Sequence, residues 1–176
     1  SEFLKIPYPS NDMLKTGEAV QAGRAEPVVI IGARGQGKSH LMAALSHMHQ
    51  DKDATVNWLN DWSTRLKNPD IADLKLQYGM HVIPESLHLQ RYKHVWDVLF
   101  DQHPHGNIIK AKWEVHGTEV PSYDLILEMA ENKPFILILD EFQTWFEGLT
   151  NSNQYKRKTW AFNFIQILSE ISEKHP

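Results

Sequence analysis

The octapeptide Gly32-Ala33-Arg34-Gly35-Gln36-Gly37-Lys38-Ser39 constrains this chain more than any other segment, and it fits the pattern G-x-x-x-x-G-K-[ST] at every position. On its N-terminal side runs Pro27-Val28-Val29-Ile30-Ile31, a β-branched stretch that predicts a strand buried on both faces. On its C-terminal side Leu41, Leu45 and Met48 recur at helical spacing, which predicts a helix from Lys38 to about Gln50. A strand that turns through glycines into a helix brings backbone N–H groups and the positive end of the helix dipole to one point. Such a point attracts a dense anion. Glycines at 32, 35 and 37 let the backbone approach that anion where a Cβ would collide. Lys38 would set a mobile cation on the β and γ oxygens of a nucleoside polyphosphate, and Ser39 would give its hydroxyl to Mg²⁺. The candidate nucleotide-binding residues are Gly32, Ala33, Arg34, Gly35, Gln36, Gly37, Lys38, Ser39 and His40. His40, directly after Ser39, is expected to pack beside the loop rather than do chemistry.

A second constellation lies a hundred residues on. Phe135-Ile136-Leu137-Ile138-Leu139 is the strongest strand signal in the chain, and it delivers Asp140-Glu141 at its C-terminal end, where ligands sit in open α/β sheets. Asp140 is the candidate ligand for Mg²⁺, through a bound water, and Glu141 the candidate base that orients and activates an attacking water. The competing reading is that the two acids only cap the next helix, favoured there by its dipole; the phosphate loop upstream tips the balance to catalysis. Gln143 could sense the γ-phosphate or order the water, or be a surface residue. The segment Asn132-Lys133-Pro134-Phe135 lacks the Asp of a guanine-reading motif and precedes the acidic strand, which disfavours a GTPase.

With 176 residues, 41% of them hydrophobic, the chain can fill the core of one domain. The expected division is a lead-in over 1–26 and a nucleotide-binding domain over 27–176. Eighteen Lys and Arg against 22 Asp and Glu give a net charge of −4, so no global basic field collects nucleic acid. The absence of cysteine excludes disulfides, thiolate metal sites and a cysteine nucleophile, and it fits a reducing cytoplasm. No apolar run is long enough to span a membrane. Further elements expected are helices at about 11–22, 90–101, 122–131 and 157–173, and a short strand at about 80–83 ended by Pro84. Residues 51–79 carry little readable pattern. Strands alternating with helices predict an α/β layered domain with a parallel sheet.

The acid pair after an apolar strand, together with the phosphate loop, resembles the hydrolytic AAA+ branch of P-loop ATPases. More narrowly, Leu139-Asp140-Glu141-Phe142-Gln143-Thr144-Trp145-Phe146-Glu147-Gly148-Leu149 is similar to a signature of large prokaryotic P-loop ATPases encoded in anti-phage defence islands, including BREX-type systems. Gly35 to Met42, Glu85-Ser86-Leu87-His88, Trp96 to Phe100 with His103-Pro104, and His116-Gly117-Thr118 with Val120-Pro121-Ser122 share the likeness. The resemblance implies a three-layer P-loop NTPase fold, ATP and Mg²⁺ as ligands, partner subunits or domains of a defence complex, and a chain cut from a larger protein. It also implies a further strand carrying a polar sensor residue, which the sequence does not reach after helix 157–173. Three functions remain in play: hydrolysis of ATP, a nucleotide-gated scaffold that barely hydrolyses, and a DNA translocase or helicase.

Weaker signals have simpler accounts. His47 and His49 point to different helix faces, and His103 and His105 flank a proline in a loop, so a transition-metal site is not expected. Lys156-Arg157-Lys158 near Trp160 and Lys110-Ala111-Lys112 near Trp113 have the mixture of a nucleic-acid surface, although solvated charge beside core tryptophans explains them more simply. Arg157 and Arg34 are both candidates for an arginine finger.

Overall fold

Ser10, Asp51 and Ser122 each start a helix with a side-chain cap. The computed structural model describes residues 2–5, 7–20, 27–33, 35–89, 91–149 and 155–175. The described chain is mixed α/β, mostly helical, with one two-stranded parallel sheet. It divides into two compact units, Ser1–Val82 and Ile83–His175.

In the first unit, Ser10 Oγ accepts from the Met13 N–H at 3.2 Å and starts α1 (Asn11–Ala19). Helix α2 (Lys38–Gln50) follows the glycine loop, and α3 (Lys52–Leu66) follows α2 with one residue between them. That residue, Asp51, ends α2 and caps α3, its Oδ1 accepting from Ala54 N at 3.0 Å. Thr55 Oγ1 fastens the joint by bonding the carbonyls of Met48 and Asp51 at 2.9 and 2.7 Å. Leu4, Met13, Ala44, Met48, Trp58, Leu59, Ile71, Leu74 and Leu76 form the core. The Trp58 indole N–H reaches Pro7 O at 3.1 Å and ties the first residues to α3. Gly17 is small for a reason: a Cβ there would stand 2.8 Å from Leu74 Cδ2.

The second unit carries the sheet. Strand β1 (His81–Ser86) starts at the end of the first unit and is followed by a 3₁₀ turn, Leu87–Leu89. Helices α4 (Asp97–Gln102), α5 (Gly106–His116) and α6 (Tyr123–Asn132) then lead to β2 (Phe135–Asp140). Two helices end the chain, α7 (Phe142–Gly148) and α8 (Tyr155–Lys174). Trp96, Phe100, Ile109, Ile126, Met129 and Phe164 are wholly inside the core. Phe135, Leu137 and Leu139 pack against this core, so β2 applies one face to it, as strand alternation requires. At Gly106 a Cβ would collide with the carbonyl oxygens of Leu99 and Phe100, which is how α4 and α5 join so tightly.

Several expectations need correction. The run 27–31 forms no strand: it makes no ladder, and Val29 and Ile31 are 78% and 90% exposed. β-branched composition favours a pleated surface only when a neighbour supplies hydrogen bonds and a layer to pack on. Strand β1 runs through Pro84 instead of stopping there; in a two-stranded sheet each strand has an outer edge, where a missing N–H costs nothing. The helix expected over 90–101 begins only at Asp97, whose Oδ2 accepts from His94 N at 2.8 Å and holds the preceding residues in a turn. Val95, Trp96 and Leu99 are buried nonetheless. The weakly patterned stretch 51–79 contains α3, and α5 was not foreseen. The helices at α1, α2, α6 and α8 and the strand β2 fall where the sequence places them, with α1 ending earlier.

Candidate functional site

The phosphate-loop residues belong to the first unit. Gly35 and Gly37 both have φ of 81°, the left-handed region that glycine enters without strain, and among the described residues no atom beyond their chain neighbours lies within 4 Å of where their Cβ would be. Gly37 is the N-cap of α2 and no side chain caps that helix, whereas α1 and α3 in the same unit are capped by Ser10 and Asp51. The Lys38 ammonium folds back along the loop, donating to Gly32 O at 2.7 Å and Ala33 O at 2.9 Å. Gln36 Oε1 accepts from Ala33 N at 2.8 Å and closes the loop from its other side. Gly32, Ala33, Gly35, Gln36, Gly37, Ser39 and His40 are exposed, and Lys38 is half-buried. The exposed His40 ring lies 5.5 Å from that of Phe3. Arg34 lies outside the described residues.

The acid pair belongs to the second unit. Half-buried Asp140 ends β2, and its Oδ1 accepts from the Glu141 N–H at 2.8 Å. Glu141 has φ 55° and ψ 27°, a left-handed backbone that costs a residue with a Cβ about 1–2 kcal/mol. Backbone strain of this kind gathers where a side chain must be aimed. Glu141 is exposed, and its Oε2 accepts from Thr144 Oγ1 at 2.7 Å. Its carbonyl also receives Trp145 N at 3.1 Å and starts α7. Glu141 is thus the N-cap residue of α7 without a side-chain capping bond, and its carboxylate is turned to Thr144. Gln143 is exposed and donates to Glu147 Oε1 at 2.7 Å along the same helix.

The sequence did not flag a third group. Glu85, at the carboxyl end of β1, accepts from Arg91 Nη2 at 2.8 Å and from Gln102 Nε2 with its other oxygen. The hydrogen bond and charge of Glu85 raise the Arg91 pKa above its ordinary value. Arg91 also lies over the Tyr92 ring at 5.4 Å. No spacing rule brings residues 85, 91 and 102 together; the turn after β1 does.

The weaker candidates are engaged structurally. Lys112 pairs with Glu128 across α5 and α6, and Lys158 sits 5.1 Å over the Phe146 ring. The indole N–H groups of Trp113 and Trp160 donate to Thr118 O and Glu119 Oε2. Arg157 is half-buried on α8. Buried His103 bonds Lys133 O through Nε2 at 2.8 Å and receives His105 N at Nδ1, which fixes a neutral tautomer. Among the described residues no group of three or more His, Asp and Glu is placed to hold a metal, and no helix is long and apolar enough to cross a membrane. Comparisons with protein-family models, with curated proteins and with solved structures gave no match.

Proposed function

We propose that this chain is the ATP-binding and Mg²⁺-dependent ATP-hydrolysing module of a larger prokaryotic defence-associated protein, of AAA+-like P-loop type. The observation that carries the reading is the start of α2: a helix without a side-chain cap, entered from a left-handed glycine, with a lysine folded over the loop before it. A capping oxygen would compete for the same N–H groups that a phosphate would use. Loop carbonyls hold the Lys38 ammonium meanwhile, and phosphate oxygens are stronger partners for it.

The hydroxyl of Ser39 and the carboxylate of Asp140 are hard oxygen donors, the chemistry that suits Mg²⁺, and they are the residues assigned to hold it. When bound, the metal supplies charge neutralisation at the phosphate oxygens. Glu141 takes the proton of the attacking water as that water's oxygen bonds to the γ-phosphorus. The bond to the bridging β–γ oxygen breaks, and ADP and inorganic phosphate leave. Lys38 offsets the charge that builds on the transferred group.

Two variants test this with a fluorescent ATP analogue and a phosphate-release assay. Lys38→Ala should lose binding by about a hundredfold or more, and Glu141→Gln should keep binding while turnover falls about a hundredfold. Turnover in Glu141→Gln equal to the parent's would remove Glu141 as the base. One observation favours a second reading, a nucleotide-gated switch: the Glu141 carboxylate is engaged by Thr144. A switch would bind the analogue and release almost no phosphate.

A further inference from the structure

The start of α8 carries a charge that the rest of the chain does not. Between Glu147 and Glu170 the sequence holds no acidic residue, whereas Lys156, Arg157 and Lys158 stand together, in a protein whose net charge is −4. The helix dipole disfavours cations in a first turn, so helix stability does not account for them there. Among the described residues none of the three pairs with a carboxylate. Nearby Trp160 is half-buried and gives its indole N–H to Glu119, so it is not the aromatic partner of this charge.

Other rings are. Tyr155 and Phe162 are 71% and 61% exposed, and with Lys158 between them they take positions i, i+3 and i+7 on one face of α8. The Phe162 ring meets Phe146 of α7 edge-on at 5.0 Å, and Phe146 stacks on Phe142 at 5.7 Å. The Lys158 ammonium lies 5.1 Å over the Phe146 ring. Glu147, the acid next to Phe146, is taken by Gln143. All of these residues lie in the second unit. Exposed rings beside unpaired cations suit a ligand with both flat apolar faces and negative charge. An unpaired nucleic-acid strand has both, whereas a duplex hides its base faces and an acidic peptide leaves the rings unmatched. Tyr155 and Phe162 stand about 10 Å apart along the helix, room for about two or three nucleotides. We propose that this face of α7 and α8 binds single-stranded nucleic acid, with bases on Tyr155 and Phe162 and phosphates on Lys156 and Lys158. The proposal does not depend on the ATPase reading.

The test is fluorescence anisotropy on the full chain with labelled oligo-dT and oligo-U of about 15 nucleotides, a duplex of equal length, and poly-glutamate as competitor. The tighter-binding of the two single strands tells DNA from RNA and is then used with the variants. Phe162→Ala should weaken its binding about tenfold and Tyr155→Ala about fivefold, both with the salt dependence unchanged. Both side chains are exposed, so neither truncation opens the core. Lys156→Gln/Lys158→Gln should instead lower the slope of log affinity against log salt by about 1.4, the share of two phosphates on a single strand. The duplex should bind the parent at least about tenfold more weakly. Parental affinity in both aromatic variants, or equal uptake of the duplex, would overturn the proposal. Displacement of the strand by poly-glutamate at equal charge would also overturn it and assign the face to an acidic protein. So would uptake of neither oligonucleotide at low salt, and that result would leave the ATPase reading standing.

Discussion

Two apolar runs in this chain are nearly interchangeable in composition and differ completely in structure. Val28-Val29-Ile30-Ile31 leads into the phosphate loop with its side chains largely in solvent and no ladder. Ile136-Leu137-Ile138-Leu139 leads into the acid pair as strand β2, paired with β1 and laid on a core of tryptophan, phenylalanine and aliphatic side chains. Intrinsic preference is therefore not what separates them. The difference lies in what each run is offered: β2 has a neighbour for its backbone and a layer for one face, and 27–31 has neither among the described residues. The two candidate loops depend unequally on their scaffolds as a result. The acid pair is held by a packed strand, whereas the glycine cradle is organised by its own bonds and by α2.

Phe164→Ala gives the strongest test of that contrast, since Phe164 is fully inside the core on which side chains of β2 pack. It should cost about 3–5 kcal/mol in urea unfolding. A cost under about 1 kcal/mol would mean β2 is no better supported than 27–31. The first unit should answer instead to pH. His49, at the far end of α2, is 4% exposed, and its Nδ1 lies 2.8 Å from Gln77 O. Burial pushes its pKa below the ordinary 6.5, with the carbonyl contact acting in the opposite direction. The unfolded chain therefore binds the proton more readily. The His49 contribution is complete above pH 6.5 and is lost as pH falls from there through the lowered folded value. Urea midpoints read between about pH 7.5 and about pH 5 should drop in the parent and flatten in His49→Gln.

A smaller effect, of opposite sign, is expected at the acid pair. Glu141→Gly relieves the left-handed backbone and should raise stability by about 0.5–1 kcal/mol while abolishing turnover. Finally, Val29→Ser and Ile31→Ser should each change stability by less than about 0.5 kcal/mol. A loss above about 2 kcal/mol in either would show that the run is buried after all, and would restore the strand that its composition suggested.

Much of the scaffold was legible where one residue type settles a local question. Ser122 followed by an amphipathic run located α6, and the period of Trp160, Phe164, Ile167 and Ile171 located α8. The sequence also pointed to both groups of candidate residues, because a glycine loop ahead of a helix and two acids after a strand are local patterns. What could not be read was non-local. The Glu85–Arg91–Gln102 contact depends on a turn, and the exposure of Val29 depends on a neighbour that composition cannot supply. Asp97 shortened a helix that hydrophobic period alone had extended, since one aspartate bonding back to His94 outweighed the pattern of Tyr92, Val95 and Trp96.

The single-residue joint at Asp51 has a mechanical consequence. Thr55 of α3 bonds the carbonyls of Met48 at the end of α2 and of Asp51 itself, so the two helices are fastened across the joint. Helix α2 starts at the glycine loop and α3 carries Trp58, which bonds Pro7 O, so one short joint ties the loop to the N-terminal segment.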